Sequence, residues 1–257
     1  MMYANYHSHT FRCHHASGTE REYIEEAIKS GIRILGFSDH SPYIFNRGDY
    51  YSNYRMRPEE TEDYVRVLSD LRDEYKNDIE IHIGLEIEYY PLYFRQTMDF
   101  LSQFPIEYYI LGQHNLASET EMPLSWPGHP SPDPAKFDLY INEIEEGLSK
   151  YNFLYLAHPD LMNFTGDAET YKEKCTRLCD LAKKADIPVE INLLGIRAKR
   201  NYPNEIFWKI AGEKNLRTVI GIDAHDVESI SNEAAYRQAL DIAVRNGLKI
   251  EETLEIK

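Results

Sequence analysis

Short apolar runs alternate with longer amphipathic segments from one end of the chain to the other. Seven of the runs, at 3–6, 32–37, 79–87, 108–111, 153–157, 188–191 and 218–222, are mostly bounded by glycine or polar residues and carry β-branched or aromatic side chains. That is the composition of strands buried on both faces of a parallel sheet. Helical signals fill the intervals. Thr19 and Glu22 form a capping box ahead of Ile24, Ala27 and Ile28, and Gly31 is placed to end that helix. Pro58 suits a first helical position, and Tyr64, Leu68, Leu71 and Tyr75 follow at helical spacing. Further helices are expected over 138–148, 169–184, 204–213 and 232–246. This alternation implies right-handed βαβ units around a parallel sheet. No linker interrupts it, so residues 1–257 are expected to form one domain.

The polar residues at the strand ends change the picture from scaffold to chemistry. In chain order those ends carry His7-Ser8-His9 and then His15, Asp39-His40, Glu86, His114, His158, Glu190-Ile191-Asn192 and Asp223-Ala224-His225. In an α/β barrel the C-terminal ends of the strands form the catalytic face. Residues i and i+2 of a strand share a side, so His7 with His9, and Asp223 with His225, can reach one site. Imidazole and carboxylate suit Zn, Mn or Fe, and a carboxylate such as Glu86 can bridge two ions. About nine such ligands exceed the four that one tetrahedral ion takes, so two or three ions are expected. His82 lies inside a strand and reads as structural; Cys13, Cys175 and Cys179 read as buried thiols. Two connections are long: 41–57, with Arg47, Arg55 and Arg57, and 115–134, with Trp126 and His129. Both follow strands, so both should lie over the same face, where Tyr43, Tyr50, Tyr51, Tyr54, Tyr89 and Tyr90 also gather.

Composition narrows the class. A net charge of −15 argues against nucleic acid, which needs a basic face. It suits an anionic substrate only if bound divalent ions reverse the local field. No run of 18 apolar residues is present, and the N-terminus lacks the pattern of a signal peptide. Three cysteines make no disulfide framework, so a cytoplasmic protein without membrane contact is expected.

The segments His7-Ser8-His9-Thr10 with Cys13 and His15, Phe37-Ser38-Asp39-His40, Gly84-Leu85-Glu86, Gly112-Gln113-His114, Ala157-His158-Pro159 and Gly221-Ile222-Asp223-Ala224-His225 resemble the PHP (polymerase and histidinol phosphatase) superfamily. The likeness spans nearly the whole chain. It implies a distorted (β/α)7 barrel with a trinuclear centre. One ion would fall to His7, His9, Glu86 and Asp223, a second to Glu86, His114 and His158, and a third to His15, His40 and His225. Gly195-Ile196-Arg197, with Tyr202-Pro203 after it, is similar to the histidinol-phosphate phosphatase branch. So is the stretch from Arg33 to Pro42. The expected reaction is therefore hydrolysis of a small phosphate ester, L-histidinol phosphate, by a water activated at the ions. After His158 the chain reads Pro159-Asp160-Leu161-Met162-Asn163, with no cation where that branch often has one. The phosphate contact is accordingly expected from Arg197, with Lys199, Arg200 and Asn192 nearby. Asp39, His40 and His225 are the candidates for proton transfer. Another PHP phosphoesterase is the alternative. An amidohydrolase-type deacylase often needs a strand-end lysine, which is missing, and a non-catalytic binding module would have lost ligands.

Overall fold

The computed structural model describes residues 2–45, 50, 52–121 and 124–256; Arg47 and Tyr51 lie outside these. Its strands are β1 (Ala4–Asn5), β2 (Ile34–His40), β3 (Glu80–Ile87), β4 (Tyr108–Leu111), β5 (Val189–Asn192), β6 (Arg217–Gly221) and β7 (Lys249–Ile250). All pair in parallel, in the orders β1-β2-β3-β4 and β5-β6-β7. Leu156 bridges to Leu111 on one side and Val189 on the other, which joins the two sheets. Ser8 bridges to Ala224, and His9 N donates to Ala224 O at 2.9 Å, which closes the ring. The result is a distorted barrel of seven places, β1 to β4, the segment around Leu156, β5 and β6, with β7 pairing along the start of β6. The Leu156 segment was expected as a full strand. It still bonds both neighbours, through Leu154 N to Tyr109 O and Leu156 N to Pro188 O.

The helices pack outside: α1 (Glu20–Lys29), α2 (Thr61–Tyr75), α3 (Phe94–Leu101), α4 (Pro134–Lys150), α5 (Ala168–Lys184), α6 (Leu193–Arg197), α7 (Glu205–Glu213) and α8 (Glu233–Asn246). The capping box on Thr19 and Glu22 forms as its spacing predicts, and Gly31 takes the left-handed conformation that favours glycine. Pro58 opens a short 3-10 turn that runs straight into α2. Helix α4 begins four residues before the expected start, because Asp133 caps it and Pro134 occupies the first turn. Helices α3 and α6 and strand β7 were not expected from the sequence, although Phe94, Thr97 and Leu101 of α3 do face the core at helical spacing.

Inside the barrel, Ala4, Tyr6, Tyr108, Ile110, Tyr155, Ala157 and Val219 form a buried plug. Tyr108 lies across Gly36 and Gly84 and donates to Tyr6 O at 2.9 Å. A Cβ at Gly84 would fall 2.4 Å from the Tyr108 ring, so the aromatic plug requires glycine there. The plug fills the barrel's interior, so the polar strand ends sit on a packed base rather than over a pore. Among the described residues no helix is long and apolar enough to cross a membrane.

Candidate metal centre

Glu86, one residue before the end of β3, lies directly opposite His40 of β2, and its carboxylate is 1% exposed. Oε2 lies 3.1 Å from His40 Nδ1, 3.4 Å from His7 Nε2 and 3.6 Å from His9 Nε2. Oε1 lies 2.9 Å from His158 Nε2 and 3.4 Å from His114 Nε2. One carboxylate thus faces five imidazoles, two on one oxygen and three on the other. Gly112 makes room for it, since a Cβ there would fall 2.0 Å from Oε1. Asp223, just past β6, places Oδ1 3.1 Å from His9 Nε2, 3.6 Å from His7 Nε2 and 3.3 Å from His225 Nδ1. His158 and Asp223 both hold positive φ, at 26° and 52°, the kind of backbone strain that collects at functional sites.

These residues fall into overlapping groups whose ligand atoms lie within 4.8 Å of one another. They include His7 with Glu86 and His158, His7 with His9 and Asp223, and His15 with His40 and His225. All nine residues singled out as ligands in the sequence therefore converge on one face. Their chemistry fits metal. His7 Nε2, His9 Nε2, Glu86 Oε2 and Asp223 Oδ1 are buried, point at each other and make no hydrogen bond. Unpaired buried polar atoms are costly, and a shared cation satisfies all four at once.

The electrostatics agree. Burial alone would raise the Glu86 carboxyl, but His114, His7 and His40 hold it well below the usual range. Asp223 is likewise held low, against its burial, by His7, His9 and His225. Burial would lower His7, yet Glu190, Asp223 and Glu86 keep it well above its ordinary value. His9 is raised to about 9 in the same way by Asp223 and Asp39. His40 and His225 move well below their ordinary value through burial and the neighbouring charge of His9. Two ionised carboxylates thus hold protons on some imidazoles and not on others. A divalent ion displaces such protons, which ties metal binding to pH.

A profile of the PHP domain matches residues 5–193. The chain belongs to the PHP domain family. It is 26% identical over 231 residues to a Deinococcus radiodurans protein named a probable histidinol-phosphatase, covering 85% of each chain. It is 35% identical over 86 residues, 32% of each chain, to the histidinol-phosphatase of Bacillus subtilis. The fold superposes on histidinol phosphate phosphatase from Lactococcus lactis, solved with zinc, L-histidinol and phosphate. That match has a TM-score of 0.76, 16% identity and 99% coverage of both chains.

Around the nine residues of this PHP domain stands a supporting shell that the sequence reading only partly identified. Glu190 is fully buried; Oε1 lies 2.7 Å from His7 Nδ1, and Oε2 accepts from His158 N at 3.0 Å. Asn192 caps α6 and spends its amide on Glu190 and Asp223, at 2.9 and 3.0 Å. Asp39 accepts from Thr10 and from His40 N, and its Oδ1 stands 3.5 Å from His9 Nδ1. Arg197 closes α6 and donates to Ile222 O and Asp223 O at 2.8 and 3.0 Å, beside the ligand loop. Lys199 and Arg200 lie exposed just beyond; Arg200 bonds Tyr202 Oη at 3.0 Å and stands over Trp126. His82 pairs with Glu80 at the opposite end of β3, and His14 turns toward Glu60. Glu190 stood among the polar strand ends read from the sequence, and Gly221 makes room for it, since a Cβ there would fall 1.7 Å from its Oε1.

Proposed function

We propose that this protein hydrolyses L-histidinol phosphate to L-histidinol and phosphate, as a single-domain cytoplasmic enzyme of histidine biosynthesis that holds two to three divalent ions (Zn, Mn or Fe). The observation that carries the reading is the set of buried, unpaired ligand atoms around Glu86 and Asp223. The relatives named histidinol-phosphatase supply the substrate class. In this reading His7, His9, Glu86 and Asp223 hold one ion, Glu86, His114 and His158 a second, and His15, His40 and His225 a third. When bound, such ions acidify water and offset the charge of phosphoryl oxygens.

The chain's own groups do the rest. Glu190, Asp39 and Asn192 fix the orientation of the ligands they touch. His40 and His225, held well below their ordinary value, carry lone pairs at neutral pH, so they serve as ligands rather than as acids. Arg197 is anchored on two carbonyls and keeps further N–H donors for the phosphoryl group, with Lys199 and Arg200 adding positive charge at the rim. The substrate's ammonium and imidazole suit a chain of net charge −15.

The test is phosphate release from L-histidinol phosphate against p-nitrophenyl phosphate, with elemental analysis on the same sample. Preference for the former with bound divalent metal is the expected result. Equal rates would leave a metal-dependent phosphoesterase of another small ester.

A further inference from the structure

Glu88 lies two residues beyond Glu86, is 1% exposed, and belongs to none of the three ion sites above. His114 Nδ1 stands 3.0 Å from Glu88 Oε1, while its Nε2 faces Glu86. An ionised carboxylate only accepts, so this contact puts the proton on Nδ1 and leaves the Nε2 lone pair aimed at the centre. Arg55 grips the same carboxylate with two parallel bonds, Nη1 to Oε2 and Nη2 to Oε1, both at 2.9 Å. Arg55 also donates to Glu119 Oε2, from Nε at 2.9 Å and Nη2 at 2.7 Å, and to Ser41 O at 3.0 Å. Arg55 and Glu119 are 2% and 1% exposed, and the rings of Tyr43 and Tyr90 stand against the guanidinium.

The connectivity matters more than the charges. Arg55 comes from the connection between β2 and α2, and Glu119 from the connection between β4 and α4. Glu88 is the one carboxylate of the chain Glu119–Arg55–Glu88 that touches a ligand of the centre. Removing one partner of a buried ion pair is strongly destabilising, so Arg55 ties the residues around it to those around Glu119 and Glu88.

We infer that Glu88 is a positioning residue for His114, and that the Glu119–Arg55–Glu88 chain couples the packing of segments 52–56 and 116–120 to the ion site His114 serves. The inference rests on the metal-centre reading above. By linkage, if the packing of these segments favours ion binding at His114, an ion at His114 favours that packing by the same free energy. A purely structural ion cluster would tie the segments down without changing any ion's affinity.

Full-length protein carrying Glu88→Gln or Glu119→Gln separates the two cases. Glu119 touches no ligand, so Glu119→Gln is the cleaner probe and carries the test if Glu88→Gln does not fold. Affinities for Zn2+ and Mn2+ are read by chelator competition, and backbone hydrogen exchange is followed over 52–56 and 116–120. The expected result is that one ion weakens about 10–100-fold in Glu88→Gln, as loss of a partner behind a ligand does. It weakens less in Glu119→Gln, while the other ions stay. In the parent, added metal slows exchange in both segments. Parent-like affinity of every ion in Glu119→Gln, or exchange unaffected by metal in the parent, overturns the coupling. A parent chain that binds no divalent ion overturns the metal-centre reading, and the coupling with it.

Discussion

His15 and His225 meet Nε2 to Nε2 at 3.1 Å, and each has its Nδ1 turned to a backbone carbonyl oxygen, Cys13 O at 2.8 Å and Asp223 O at 3.3 Å. A carbonyl oxygen only accepts, so both protons sit on Nδ1 and two Nε2 lone pairs face each other. That arrangement repels unless a cation lies between them. Burial also lowers the pKa of both rings, which makes a metal ion a better occupant than a proton. Purified protein should therefore carry two to three divalent ions. His15→Ala should lose one of them and keep the rest, and stripping all of them should abolish hydrolysis. Elemental analysis that finds at most one ion in fully active protein would contradict the multinuclear centre.

Glu86 is the residue on which the largest number of imidazoles converge. Glu86→Gln keeps its shape and removes the charge that holds His7, His40, His114 and His158 together. At least one ion and most of the activity should be lost, and metal addition should raise Tm less than in the parent. Unchanged metal content and turnover would show that this carboxylate bridges nothing.

Glu143 of α4 is 4% exposed, accepts from Ala117 N at 2.6 Å and Gln113 Nε2 at 3.1 Å, and is pushed by burial from 4.5 up to about 7. A carboxyl raised on folding binds more protons in the folded chain than in the unfolded one between those values. Its contribution therefore falls as pH rises from about 4.5 to about 7 and is flat above. Glu143→Gln removes that slope. Relative to the parent, the metal-free variant should gain up to about 3 kcal/mol across this window, read from urea melts at pH 5 and pH 8. A constant difference between the two proteins would show that Glu143 ionises normally.

The converging histidines were legible because a parallel barrel turns chain order into position: polar residues at the ends of buried strands have only one face on which to collect. The roles of Glu88, Arg55 and Glu119 were not legible. Their pairing spans up to 64 residues, and a glutamate past a strand end reads the same whether it faces solvent or a buried guanidinium. Strand β7 was missed for a related reason. Lys249 and Ile250 are half polar, and only their pairing with Arg217 and Thr218 makes them a strand. The segment 153–157 shows the converse, since its apolar run reads as a strand while only Leu156 meets the geometry of one.

Arg197 tests both the phosphate contact and the substrate. It closes α6, next to the loop that carries Asp223 and His225, and its guanidinium is held by the carbonyls of Ile222 and Asp223. That anchoring allows two roles, a clamp for phosphate or a brace for the ligand loop, and they differ in what they disturb. A brace removed by Arg197→Ala would loosen Asp223, so metal affinity would fall together with activity. A clamp removed would leave metal content and Tm intact and cost about 2–4 kcal/mol in kcat/KM, as loss of a transition-state charge contact does. The clamp is the expected outcome, with Lys199→Ala costing less because Lys199 is exposed. Arg197→Ala that turns over L-histidinol phosphate as well as the parent would remove Arg197 from the reaction. A parallel fall in metal binding would assign it to the loop.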